Sequence, residues 1–102
     1  MREVYDVVTA RAVARLTVLA EYCLPYVKIN GLFICMKGPD AHEEIEEANR
    51  AIEILGGKIE KIDELFLSGT DIKRTIIVIK KVKKSPNFYP RKAGKPSKEP
   101  IQ

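Results

Sequence analysis

The sequence predicts an α/β fold in the order β-α-β-α-β-β, with a closing antiparallel hairpin and a basic tail. Three observations lead to this prediction. Apolar runs of strand length alternate with segments whose apolar residues recur at helical spacing. The first two apolar runs are joined by a helix, which is how neighbouring parallel strands are connected. The last two are separated only by a short turn, which favours an antiparallel pair.

The first strand, the first helix and the second strand form a predicted β-α-β unit. Residues 4–9 are valine-rich and have the composition of an interior strand. Apolar residues then recur at helical spacing over residues 16–27, with Thr17 as the expected N-cap. The helix should end near Val27, because Pro25 lacks a backbone donor. The turn "KING" then leads into the second strand at residues 32–36.

A second helix and two further strands complete the predicted domain. Asp40 is the expected N-cap with Glu43 as its reciprocal partner, and Gly56 with Gly57 forms the C-terminal stop. Residues 58–67 are predicted as strand, "SGTD" as turn, and "RTIIVIKKV" as a strand buried on both faces. Acidic residues crowd the first turns of the second helix. We interpret them as exposed charge that complements the helix dipole, rather than as a metal or acid-base site: Glu43, Glu44, Glu46 and Glu47.

The cysteines and the hydropathy pattern argue against several classes of protein. Cys23 and Cys35 lie in apolar contexts without a C-x-x-C spacing, and His42 is the only histidine. We therefore expect neither a metal site nor a disulfide framework. No apolar run is long enough to span a bilayer, and the first residues lack the pattern of a secretion signal. These features predict a cytoplasmic protein with no membrane partner.

Positive charge is concentrated towards the C-terminus. Residues 1–79 carry a net charge of −3, whereas residues 80–102 carry +7 and four of the six prolines. We therefore expect a domain over residues 1–82 and a basic, proline-rich tail over residues 83–102. The tail should be extended and mobile when free, and its charge suits a nucleic-acid backbone.

Several segments resemble one enzyme family. The predicted element order is similar to the second half of the Rossmann-like fold of S-adenosylmethionine-dependent methyltransferases. The stretches "YDVVTARAVARLTVLAEYCLPYVK", "NGLFICMKG", "RTIIVIKKV" and "SPNFYPRKAGKPSKEPI" together resemble the C-terminal half of the ribosomal small-subunit RNA methyltransferase G family, also called glucose-inhibited division protein B. The turn T-A-R-A and the tail P-x-x-Y-P-R-K-x-G-x-P are the most distinctive parts.

The resemblance implies methyl transfer from S-adenosylmethionine to N7 of a guanine in small-subunit (16S) ribosomal RNA. In that family the first three strands, the glycine-rich turn that receives the cofactor and the acidic residue that holds its ribose precede the strand matched by residues 4–9. This sequence has no such turn, because its only G-G pair follows a helix rather than a strand. We therefore expect a fragment that is not competent alone. Its strand at residues 4–9 should pair with the missing half or with a second copy.

The resemblance also implies a set of site residues. Guanine N7 already presents a lone pair, so no general base is needed and no catalytic side chain is assigned. Arg11, after the first strand, is implied as a cofactor ligand, and Lys37 and Arg74 as RNA ligands. The tail is expected to add further RNA contacts through Lys83, Lys84, Tyr89, Arg91 and Lys92. By residue type alone, ordinary surface charge is the favoured interpretation of Arg11, Lys37 and Arg74. The resemblance reverses that preference for Arg11 and Arg74 and leaves the two interpretations of Lys37 evenly balanced.

Two other functions stay open. One is a non-catalytic RNA-binding module, in which the basic tail follows the backbone while Phe88 and Tyr89 stack on bases. The other is a structural half-domain that pairs with another chain through an open sheet edge.

Overall fold

A computed structural model of the protein describes residues 3–11, 15–38, 41–66, 69, 72–91 and 101. Its elements follow the predicted order and confirm the α/β class. They are β1 (Tyr5–Arg11), α1 (Leu16–Cys23), a 3₁₀ turn (Leu24–Tyr26), β2 (Val27–Lys37), α2 (His42–Ile54), β3 (Gly57–Phe66) and β4 (Lys73–Lys81).

The four strands form one mixed sheet in the order β1-β2-β4-β3. β1 and β2 are parallel, whereas β4 runs antiparallel to both β2 and β3. The predicted parallel β-α-β unit and the predicted closing hairpin are therefore confirmed. β1 forms one edge of the sheet, so its valine-rich run has a strand neighbour on one side only within the described residues.

The start of α1 differs from the prediction. The helix begins at Leu16 after Arg15, so Thr17 lies inside it rather than at its N-cap. The Thr17 hydroxyl instead donates a hydrogen bond of 3.2 Å to the carbonyl of Ile101. The backbone N–H of Leu16 donates to a carboxylate oxygen of Glu44 on α2, at 2.6 Å. A side chain distant in the sequence therefore supplies the acceptor that a local N-cap would provide.

The second strand begins earlier than predicted. It extends from Val27 to Lys37 and includes the segment "KING", which was expected to form a turn. Asn30 adopts a left-handed φ of 75°, and the pairing register jumps from Tyr5 with Val27 to Val7 with Leu32. The segment is therefore an irregularity within the strand rather than a connection before it.

The second helix has the predicted C-terminal stop. Asp40, the expected N-cap, lies outside the described residues, and α2 follows Ala41. Gly56 has a φ of 91°, which side-chain-bearing residues rarely adopt, and a Cβ there would lie 2.1 Å from the Lys83 carbonyl oxygen. The stop therefore requires glycine for both its conformation and its space.

Both helices pack on one face of the sheet. The core between them contains Phe33, Ile77 and Ile79 from the strands, each fully buried. The other face, which we call the open face, carries no helix among the described residues. Along β4 the burial alternates between buried and half-buried residues, so the prediction of a strand buried on both faces is wrong. The open face presents mainly apolar side chains: Val7, Leu32, Ile34, Met36, Ile76 and Val78.

The described part of the tail packs on the domain. The Ser85 hydroxyl donates to the Leu55 carbonyl at 2.5 Å, Tyr89 packs against the core, and Ile101 is buried within it. Some of the described tail residues therefore contact the domain, while Lys83, Lys84 and Phe88 are exposed. That the tail is extended and mobile when free stays a prediction. The division at residue 82 stays a prediction.

Candidate functional site

Three of the predicted cations lie at one edge of the sheet. Arg11 ends β1 and Lys37 ends β2, and because these strands are parallel both ends reach the same edge. Arg74 lies near the start of the antiparallel strand β4, next to Thr75, which pairs with Lys37. Neighbouring strands are about 4.8 Å apart, so the backbones of β1 and β4 lie about 10 Å apart here. We call Arg11, Lys37 and Arg74 the cation edge.

The members of the cation edge point to two different faces. Arg11 pairs in register with Met36, and Met36 with Ile76, so Arg11 shares the open face with Arg74. Arg11 is exposed and lines a shallow depression of about 290 Å³ on that face. Arg74 is half-buried, and its guanidinium donates to the Lys73 carbonyl at 3.1 Å. Lys37 points to the helix face.

Lys37 is tied to α2. Its side chain is 8% exposed, and its ammonium lies 2.6 Å from the carboxylate of Glu44. The interpretation of the acidic cluster as exposed charge is therefore wrong for Glu44. Glu47 is also engaged, because it forms a two-point ion pair with Arg15. The hydrogen bond from the Arg15 guanidinium holds the pKa of Glu47 below its ordinary value.

The described tail residues do not join the cation edge. Lys83 and Lys84 are exposed, but they follow the far end of β4, about 25 Å from Arg74 by the rise of an extended strand. Tyr89 is half-buried against the core, whereas the neighbouring Phe88 is 69% exposed. The side chain available for stacking is therefore Phe88. Lys92, a predicted RNA ligand, lies outside the described residues.

Arg91 has a structural partner. Its guanidinium nitrogens lie 2.8 Å and 2.9 Å from the two carboxylate oxygens of Glu21, and its backbone N–H donates to the same group at 2.8 Å. Glu21 is fully buried on α1, and the Arg91 guanidinium also lies 5.9 Å from the centre of the Tyr89 ring. An RNA contact by Arg91 stays a prediction, and it would require this ion pair to open.

Sequence reasoning missed a buried lysine. Lys81 is fully buried, and its ammonium donates to the carbonyls of Leu24 and Val27 at 2.6 Å and 2.8 Å and lies 3.1 Å from the Glu3 carboxylate. The signal was present in the alternation of β4, because Lys81 falls on the same face as Ile77 and Ile79. Its partners fasten the end of β4 to the 3₁₀ turn.

The cysteines do not supply a reactive group. Both are free thiols, and burial raises the pKa of Cys23 and of Cys35 to about 11. In the described ranges, no three His, Cys, Asp or Glu side chains are grouped so that they could hold a metal ion. The same part of the chain contains no helix that is long and apolar enough to cross a membrane.

Comparisons with known proteins identify a family. The family model described as rRNA small subunit methyltransferase G matches residues 1–77. A protein named Ribosomal RNA small subunit methyltransferase G from Acetivibrio thermocellus is 60% identical over 98% of this chain and 41% of its own length. Proteins of the same name from Alkaliphilus oremlandii and Lactobacillus johnsonii are 55% and 52% identical, each over 99% of this chain and 42% of their own length. The chain thus spans about two fifths of the length of these relatives, and it belongs to the rRNA small subunit methyltransferase G family.

Proposed function

We propose that this chain is the substrate-side part of an enzyme that methylates N7 of a guanine in small-subunit ribosomal RNA, in the cytoplasm, and that it is not competent alone. The observation that carries the proposal is the cation edge, at the carboxyl ends of two parallel strands. Ligands of open α/β sheets bind outside the carboxyl ends of their strands. The strand order β1-β2-β4-β3 supports the interpretation of this sheet as the second half of a Rossmann-like methyltransferase sheet.

The reaction requires alignment more than acid-base chemistry. The N7 lone pair would form a bond to the methyl carbon as the bond from that carbon to the sulfonium sulfur of S-adenosylmethionine breaks. S-adenosylhomocysteine would be the leaving group, and N7 would lose no proton. The guanine gains positive charge, so a cation beside N7 would oppose the reaction. Arg11 and Arg74 are therefore suited to the anionic groups around the reaction: the cofactor carboxylate, an RNA phosphate or the guanine O6.

The residues present fit the cofactor only in part. Arg11 is exposed at the cation edge and has the geometry to pair with a carboxylate. The sequence contains no glycine-rich turn from a strand into a helix, which is the device that brings backbone close to such a nucleotide-like group. We therefore propose that a further segment completes the site. It would correspond to the part of the relatives that this chain does not match. The β1 edge and the apolar open face are the surfaces on which it would pack.

A fusion protein, which we call the completed enzyme, tests the proposal directly. It joins this chain to the unmatched segment of the Acetivibrio thermocellus relative. The substrate is unmodified small-subunit rRNA, and the product is read as 7-methylguanosine by nuclease digestion and mass spectrometry. Arg11→Ala and Arg74→Ala should each lower the methylation rate at least about tenfold, the effect of losing one charge-assisted contact. Lys58→Ala, an exposed cation on β3, is the matched control and should leave the rate unchanged.

Two results would contradict the proposal. Unchanged methylation in both arginine variants would remove the cation edge from the mechanism, and methylation at another atom would refute the assignment of N7. In calorimetry the 102-residue chain alone should show no measurable binding of S-adenosylmethionine. Stoichiometric micromolar binding would show that this chain holds a complete cofactor site.

One observation favours the alternative of a non-catalytic RNA-binding module. Phe88 is 69% exposed and follows the exposed Lys83 and Lys84 closely in the sequence, which combines an aromatic surface with backbone-binding charge. In that case RNA affinity would survive Arg11→Ala and Arg74→Ala but fall in Phe88→Ala. The completed enzyme and the binding assay therefore separate the two functions.

A further inference from the structure

The hairpin of β3 and β4 extends past the end of the neighbouring strand. Lys37, the last residue of β2, pairs with Thr75 on β4. β4 itself begins at Lys73, so its first two residues continue beyond β2. At about 3.4 Å per residue, the hairpin projects about 7 Å past the cation edge of β2. We call the two residue pairs there the hairpin end: Leu65 with Arg74 and Phe66 with Lys73.

The hairpin end exposes a group of apolar side chains. Phe66 is 64% exposed, the adjacent Leu65 is 37% exposed, and Ile72, which precedes β4, is 46% exposed. Apolar side chains that are exposed singly are common on protein surfaces, whereas a group of them marks a binding surface. The aromatic ring of Phe66 is the most exposed member of this group.

Each apolar side chain of the hairpin end has a cation opposite it. Residues that pair across antiparallel strands share a face, so Phe66 lies beside Lys73 and Leu65 lies beside Arg74. The Lys73 ammonium lies 2.5 Å from the carboxylate of Glu64, and its side chain is still 39% exposed. An exposed ring next to positive charge is the combination that holds single-stranded nucleic acid, because the ring stacks on a base while the cations attract the phosphates.

The hairpin end lies away from the surfaces on which the further segment would pack. β1 and β3 form opposite edges of the sheet, so they are three strand spacings, about 14 Å, apart. Lys73 is two residues from the buried Thr75, so Phe66 and Lys73 share the helix face rather than the open face. The position of the ring therefore favours the substrate as its partner over the further segment.

The proposed reaction requires unpaired bases at this edge. In an A-form RNA helix, N7 of guanine lies in the deep, narrow major groove, which side chains cannot read. An enzyme that methylates N7 therefore binds a loop, a bulge or an end whose bases are unstacked. Aromatic side chains bind such bases by stacking on them.

We propose that Phe66 stacks on an unpaired base next to the target guanine, while Arg74 holds a phosphate of the same strand. This inference deepens the proposed function and rests on it, because it takes ribosomal RNA as the substrate. Every base has a π face, so the stack contributes affinity rather than a choice of sequence. Phe66 takes no part in the transfer of the methyl group.

The first test measures RNA binding by the 102-residue chain and needs no methylation. The probe is a short, fluorescently labelled oligoadenylate, and binding is followed by anisotropy. Phe66→Ala and Phe66→Leu should each weaken binding at least about fivefold, the lower end of the effect of losing one stacked base, whereas Phe66→Trp should preserve it. Leucine keeps an apolar side chain without a ring, so this variant separates stacking from apolar contact. Ile29→Ala, at a 43% exposed residue of β2, is the control and should leave binding unchanged.

Two further measurements separate the stack from the charge. Phe66→Ala should leave the salt slope of binding unchanged, whereas Arg74→Ala should reduce it by about one. An oligomer of the same length with abasic sites in place of its bases should bind Phe66→Ala and the unmutated chain equally. Unchanged affinity of Phe66→Leu for oligoadenylate, or no binding by the unmutated chain, would overturn the proposal.

The second test uses the completed enzyme. Phe66→Ala should raise the KM for unmodified small-subunit rRNA at least about fivefold and leave kcat unchanged, because the stack is made equally before and during the reaction. If Phe66→Ala lowers the Tm of the completed enzyme but not that of the 102-residue chain, the ring packs against the added segment and the proposal is overturned. If the unmutated completed enzyme does not methylate rRNA, the proposed function fails, and the binding assay alone decides whether Phe66 stacks on RNA.

Discussion

Replacing Arg91 with methionine tests whether this residue anchors the tail or binds RNA. The substitution keeps much of the apolar stem of the side chain but removes its charge and its hydrogen bonds. Its partner Glu21 is fully buried beneath it. Arg91→Met therefore leaves a buried carboxylate with the backbone N–H of residue 91 as its remaining partner from the tail.

The expected cost follows from that burial. Breaking a buried ion pair by removing one partner costs about 3–5 kcal/mol, because the other charge remains out of water. This cost has a limit, because the tail of the variant can detach from the domain and water can then reach the Glu21 carboxylate. We therefore expect the lower value, about 3 kcal/mol, which corresponds to a fall in Tm of about 12–24 °C for a domain of this size.

Urea unfolding followed by circular dichroism measures this cost. Lys84→Met, at an exposed cation of the same tail, should change the free energy of unfolding by less than about 0.5 kcal/mol. Adding Glu21→Gln to Arg91→Met removes the stranded charge and should recover at least about 1 kcal/mol. If Arg91→Met matched the unmutated chain in stability but reduced the salt dependence of RNA binding, the anchoring role would be refuted and the RNA contact supported.

Four further outcomes are expected. Gly56→Ala should lower the free energy of unfolding by at least about 2 kcal/mol in the same urea assay, because the φ of residue 56 is 91° and the new Cβ would meet a backbone oxygen. Gly38→Ala is the control, since a Cβ at residue 38 meets no atom within 4 Å. Equal urea midpoints for the two variants would contradict this prediction. Since the pKa of both cysteines is raised to about 11, iodoacetamide should alkylate them about a hundredfold more slowly at pH 8 than an unperturbed thiol. The folded state then holds its thiol protons more tightly than the unfolded state, so stability should fall as the pH rises from about 9 to 11, and a rise would be inconsistent. Light scattering should show self-association of the chain through the β1 edge, reduced by Val7→Lys; a monodisperse monomer at high micromolar concentration would show that the edge is covered.

Local patterns were sufficient to predict the order of the elements. Valine-rich runs, helical spacing and the Gly56 stop each depend on residues close in the sequence, and the structure has the corresponding strands and helices. The N-cap of α1 could not be predicted in this way. Its acceptor is Glu44, 28 positions away in the sequence, so no residue close to Leu16 indicates it. The backbone N–H groups at the start of a helix bond to whichever acceptor the fold brings close to them.

The three cations that the resemblance implied as site residues lie at one edge of the sheet, and their role there stays a prediction. The β-α-β pattern predicted that Arg11 and Lys37 follow the carboxyl ends of parallel strands, whereas Arg74 was implied by the resemblance alone. Which of these cations is already bound to a carboxylate depends on helix packing. The contact between Lys37 and Glu44 forms only when α2 is placed against the end of β2. No spacing rule in the sequence contains that information.

The state of each cation before RNA arrives should decide how much it contributes to binding. Arg15, Lys37, Lys81 and Arg91 already pair with carboxylates. Among the described residues no ion pair involves four of the candidate cations: Arg11, Arg74, Lys83 and Lys84. A phosphate that binds a paired cation must first separate it from its partner, whereas an unpaired cation exchanges only water and salt ions. Alanine variants of Arg74, Lys83 and Lys84 should therefore each reduce the salt slope of RNA binding by about one, and variants of the paired cations should change stability instead. The opposite pattern would show that the ion pairs open on contact with RNA.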